Sequence, residues 1–111
     1  MTVPRVAPSA ADPRLAAMAV CLKQSYGAER VILFGSVARG EATEHSDVDL
    51  LVVAATVEPY LQRQVSVLRL LDGLSRGLAL APIVLTPDEL QQRLQLGDQF
   101  FHEIVQTGRE L

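Results

Sequence analysis

The chain has no tryptophan, one cysteine, few aromatic residues (5%) and no cluster of basic residues among its 111 positions. Each absence removes a class of protein. With Cys21 alone, neither an intrachain disulfide nor a zinc site built from thiolates can form. Cys21 itself reads as a small buried hydrophobe on a helix. A formal net charge of −3 argues against a general nucleic-acid binder, whose affinity comes from Lys and Arg set against phosphates. No apolar run reaches the roughly 20 residues that span a bilayer, and no basic-then-apolar amino terminus of the secretory kind is present. A cytoplasmic protein with no membrane contact is therefore expected. The scarcity of aromatics leaves the core to Leu, Val, Ile and Ala, and a hydrophobic fraction of 49% suits an α/β arrangement of helices packed on a sheet.

Residues 1–11, with two prolines, small residues and no periodicity, read as a flexible tail, and 12–111 as a single domain. Asp12 can cap a helix whose first residue is Pro13 and whose apolar positions are Leu15, Met18, Leu22 and Tyr26, until Gly27 stops it. "RVILFGS" is a continuous apolar run ending in glycine, as in a strand buried on both faces. "DVDLLVV" is a second strand. A helix from about Glu58 to Ser75 follows, with Leu61, Val65, Leu68, Leu71 and Leu74 on one stripe. "LALAPIVLT" is a third strand, placed at an edge or bulge by Pro82. Thr86, Pro87, Asp88 and Glu89 spell a capped helix start, and a last helix with Phe100, Phe101, Ile104 and Val105 ends near Gly108. For the adjacent phenylalanines the domain's own core is favoured over a homodimer contact.

The most specific chemistry lies in "FGSVARGEATEHSDVDLLVV", residues 34–53. In a strand Asp47 and Asp49 share a face, with Cα atoms roughly 6.6 Å apart, while Val48, Leu50 and Val52 turn into the core. Carboxylates this close repel unless a cation lies between them, and their oxygens suit magnesium, which prefers carboxylates plus substrate phosphates. Gly35 and Ser36 end one strand and open a short helical turn, where N–H groups and the Ser36 hydroxyl can meet a phosphate. Taken singly, Gly-Ser is most often only a turn, and Asp-x-Asp a solvated strand end. Together, on adjacent strands, they make one pocket for a metal and a phosphate, which is what nucleotide transfer needs.

Gly35-Ser36, ten intervening residues and Asp47-x-Asp49, with Ala38-Arg39-Gly40 inside, strongly resemble the signature of the polymerase-β-like nucleotidyltransferase superfamily and, more narrowly, of the minimal nucleotidyltransferases. The resemblance implies a small mixed β-sheet with helices packed on one side. It makes Asp47 and Asp49 the catalytic magnesium ligands and puts the triphosphate of an NTP, ATP above others, at Gly35 and Ser36. Arg39 either pairs with a phosphate or forms a salt bridge with Glu41. Ser46 is expected to hydrogen-bond the loop backbone, His45 to be an exposed loop residue, and His102 to pack or lie at the surface. Relatives in the family usually carry a third carboxylate on the strand after the long helix. Here Ala81 and Pro82 stand about there, and Glu89 is already explained as a capping residue. Losing a general base costs ~10²–10⁴ in rate.

Members of the family are commonly found with HEPN proteins as antitoxin and toxin, some transferring AMP to a tyrosine of the toxin. The resemblance thus implies a magnesium-dependent transfer of NMP to a hydroxyl of a partner protein of HEPN type. The alternatives are an antitoxin-like nucleotide-binding module that neutralises its partner by holding it, and a structural domain whose aspartates lie idle at the surface.

Overall fold

The computed structural model describes residues 6–111. The tail expected over 1–11 lies partly outside the described residues, and from residue 6 to residue 11 it forms neither helix nor strand. Helix α1 (Pro13–Ser25) starts as its sequence dictates: Arg14 N–H donates to the Asp12 carboxylate at 2.9 Å, and proline opens the first turn. Strand β1 (Ala28–Phe34) leads directly into a short helix α2 (Gly35–Ala38). After a loop come β2 (Val48–Ala54), α3 (Tyr60–Leu71) and β3 (Leu80–Leu85). Then follow α4 (Pro87–Gln95), α5 (Gln99–Thr107) and a two-residue β4 (Arg109–Glu110).

The sheet has the order β3-β2-β1-β4. Strand β1 runs antiparallel to both β2 and β4, whereas β2 and β3 are parallel, joined by α3 as such a pair requires. This is the mixed sheet expected from the resemblance. Pro82 falls in the edge strand, where a missing N–H costs no ladder bond. The sequence pattern did not announce β4, since two charged residues carry no alternation to read.

Alternation along the strands divides the core in two. Val31, Leu33, Leu50 and Val52 pack with Leu15, Met18 and Leu22 of α1 and with Val67 and Leu71 of α3. Ile32, Leu51 and Val53 point to the opposite face and meet Leu90 of α4 with Phe101 and Ile104 of α5. Helices on one side, as expected, describes α1 and α3. The last two helices form a layer on the other face, because β1 and β2 are apolar on both sides and a single layer would leave half of them wet.

Helix α3 is rotated relative to the expected stripe. Its buried residues are Arg63, Val67 and Leu71, while Leu61, Val65 and Leu68 are exposed, Leu61 by 75%. Arg63 sets the rotation. Its guanidinium donates to the Val84 carbonyl at 3.2 Å, to Glu89 Oε1 at 2.6 Å and, through Nε, to the Glu58 carbonyl at 3.0 Å. One side chain thus bridges α3, the outer strand and the start of α4, and these bonds satisfy its donors where it is buried.

Candidate active site

The last residue of β1, the second of β2 and the second of β3 lie in one row: Phe34 pairs with Asp49, and Asp49 with Ala81. Partners in register point to the same face, so this row is a continuous strip, on the side covered further along by α4 and α5. Above it opens a cavity of about 660 Å³ that Asp49, Gly35 and Arg39 line together. Its opposite wall is α5, which contributes Phe100, Glu103, Ile104 and Thr107 at helical spacing. Phe100 is fixed there by an edge-on contact with Phe34, ring centroids 5.8 Å apart and planes at 87°.

Gly35 makes the junction possible. Its φ of +76° is a left-handed conformation that side chains resist, and a Cβ there would collide with Asp49 Oδ2 and lie 3.1 Å from its Cγ. The missing side chain lets the Asp49 carboxylate sit directly against the backbone where β1 becomes α2. Burial pushes the Asp49 carboxyl above its usual range, the Asp47 charge pushes it further, and Arg39 opposes both. Asp47 stands one residue ahead of β2 and is exposed. It lines a neighbouring hollow together with Glu44, His45 and Ser46. Ser36 lines neither space; its carbonyl accepts from Glu41 N–H at 2.9 Å and closes the turn after α2.

The remaining candidates divide cleanly. Arg39 borders the cavity and also donates from Nε to Glu41 at 3.1 Å, both side chains more than half exposed. Ser46 accepts from Thr43 N–H at 2.8 Å, holding the loop ahead of the aspartates. His45 is exposed, and its ring lies 3.3 Å from the Glu44 carboxylate. The His102 ring nitrogen lies 2.8 Å from the Leu94 carbonyl and ties α5 to α4. Glu103 was not singled out from the sequence, and of the two phenylalanines expected in the core only Phe101 is buried there, whereas Phe100 is 50% exposed and borders the cavity. The spacing of these residues marks α5 as amphipathic but does not say which cavity it faces.

Carboxylate oxygens such as those of Asp47 and Asp49 are the donors a hard divalent cation takes. Among the described residues no hydrogen bond reaches either aspartate carboxylate, and the two charges disfavour each other, a strain that a cation relieves. No group of three or more His, Cys, Asp or Glu side chains converges among the described residues. Two carboxylates would leave the rest of the coordination sphere to phosphate oxygens and water, as magnesium prefers.

Comparison with known proteins identifies the family. Residues 17–105 match the family model described as "Nucleotidyltransferase domain". A Methanocaldococcus jannaschii protein named "Putative protein adenylyltransferase MJ1305" is 42% identical over 73 residues, which cover 61% of this chain and 50% of that protein. A second protein of the same organism, "Putative protein adenylyltransferase MJ1379", is 55% identical over 31 residues, 28% of this chain and 31% of that protein. The matched segments thus span half of the first relative's length and less than a third of the second's.

Proposed function

The chain belongs to the nucleotidyltransferase domain family, and on that premise we propose that it transfers AMP from ATP, with magnesium, to a hydroxyl of a partner protein. The observation that carries the reading is the Asp49 carboxylate, without a hydrogen-bond donor among the described residues and set against the backbone of Gly35 on the floor of a cavity large enough for a nucleotide. The names of the two relatives support AMP as the group transferred and a protein as its acceptor. The 34–53 signature supports a HEPN-type toxin as that protein, with this chain as its antitoxin.

Asp49 and Asp47 are the residues that would hold magnesium, with Asp47 swinging in from the loop end that precedes β2. When bound, the ion would neutralise charge on the reacting phosphate and on the pyrophosphate that leaves. Gly35 lets phosphate oxygens approach main-chain N–H groups without a side chain in the way, and the Ser36 hydroxyl, which borders neither hollow, would turn in to add a further donor. Arg39 can leave Glu41 for a phosphate, since an exposed pair of this kind is worth little in water. Phe34 and Phe100 form an apolar wall that keeps water from one side of the bound nucleotide.

A second reading has its own observation: Ala81, not an acid, stands beside Asp49 on β3. On that reading the chain binds nucleotide and restrains its partner without turnover. Incubation with α-labelled ATP, magnesium and the copurifying partner separates the two. Transfer predicts covalent label on the partner with the wild type and none with Asp47→Asn/Asp49→Asn. Binding of ATP and partner without label establishes the second reading, and failure to bind ATP at all removes both.

A further inference from the structure

We propose that Glu103, on α5, is the general base of the transfer, taking over from a helix the proton-accepting role for which β3 has no residue. The inference rests on the proposed transferase reading and names a further residue of the same site.

Position 81 is the point on β3 in register with Asp49, and alanine occupies it; no Asp or Glu occurs anywhere in Leu80–Leu85. A proton acceptor has to come from another wall of the cavity. The carboxylates bordering that cavity are Asp49 and Glu103. Among the described residues the Glu103 side chain makes no ion pair and no hydrogen bond, while its main-chain carbonyl accepts from Thr107 Oγ1 at 2.7 Å. An uncompensated carboxylate facing a space that receives a polyanion weakens binding. Glu103 is exposed at the rim of the cavity, where an acceptor hydroxyl arriving from solvent would meet it.

Placement argues the same way. Helix α5 is held rigidly, with Phe101 and Ile104 buried and the Asp98 side chain accepting from the N–H groups of Phe100 and Phe101 at 3.1 and 3.4 Å. Glu103 sits between Phe100 and Ile104 on the cavity-facing side of that helix, so its backbone is fixed by packing on both sides. It does not join Asp47 and Asp49 in a cluster of three acids.

In the step, the acceptor hydroxyl oxygen forms a bond to the α-phosphorus of ATP while the bond from that phosphorus to the pyrophosphate oxygen breaks. The hydroxyl proton passes to the Glu103 carboxylate and then to water as pyrophosphate departs. Nothing is oxidised or reduced.

The test uses the full chain with ATP, magnesium and N-acetyltyrosinamide as probe acceptor, following its AMP ester and pyrophosphate, with ATP affinity measured separately by titration. Glu103→Gln is expected to lower kcat by ~10²–10⁴ and to leave ATP affinity unchanged or tighter. Glu103→Asp should recover part of the rate. Wild-type kcat in Glu103→Gln, while Asp49→Asn abolishes transfer, overturns this inference and leaves the transferase reading standing. Loss of ATP affinity in Glu103→Gln also overturns it, by showing a binding role. Absence of AMP transfer by the wild type to this probe and to the copurifying partner alike overturns both.

Discussion

Gly35 and Asp49 are one structural decision made by two residues. The carboxylate occupies the volume a side chain at 35 would need, and the backbone at 35 adopts the left-handed turn that only glycine takes cheaply. Gly35→Ala should therefore act twice. Backbone strain costs about 1–3 kcal/mol, visible as a lower midpoint in thermal or urea unfolding, and displacement of Asp49 removes magnesium-dependent ATP binding in a titration. An alanine variant that binds ATP as the wild type does would show that Asp49 need not lie against the turn. At this scale the sequence was informative: Gly35, Arg39 and Asp49 were named from it and do meet at one cavity. The separate hollow beside Asp47 was hidden, because strand alternation applies only once the strand has begun, at Val48.

Helices α3 and α4 lie on opposite faces of the sheet and are tied around its β3 edge by Arg63 and Glu89. Glu89 has two duties, since its carboxylate also accepts from Thr86 N–H at 2.7 Å while Thr86 Oγ1 accepts from Glu89 N–H at 3.2 Å. The Arg63 guanidinium holds the Glu89 carboxyl below its usual range, and the Thr86 main chain adds to the effect. A lowered carboxylate contributes stability that is complete above its ordinary pKa of 4.5 and disappears as the pH falls through the lower, folded value. Because the Glu89 side chain is 40% exposed, solvent reduces the contribution to roughly 1 kcal/mol. Glu89→Gln should accordingly narrow the stability gap to wild type below pH 4.5, and Arg63→Ala should cost about 1–3 kcal/mol at neutral pH by stranding the Val84 carbonyl and the carboxylate. Denaturant unfolding at several pH values checks both. The capping box of α4 was legible because its four residues are contiguous. The rotation of α3 was not, because it depends on Arg63 finding partners 21 and 26 positions away. An apolar count along the helix sees neither partner.

Taken whole, the molecule is a sheet with a core on each face and its chemistry at one end of the row that crosses β1, β2 and β3. Both edges are finished with polar groups: Arg63 covers a carbonyl of β3, and on the other side Arg30 pairs with Glu110 across β1 and β4. The two cores differ in how they are closed. The α1 and α3 core joins elements that follow one another along the chain, whereas the α5 wall is fixed by β4, whose Glu110 and Arg109 pair with Ile32 and Leu33 at the far end of the sequence. Contacts between such distant positions carry a chain-closure cost that must be met before they return anything. The cavity should consequently be the last part of the protein to assemble and the first to open. In hydrogen exchange, amides of α5 are expected to exchange through partial opening while those of β1 and β2 wait for global unfolding; equal protection in both would refute that order. During folding, then, the chain is already largely built before it has a place to hold a nucleotide, and ATP arriving at that point would trap the finished state.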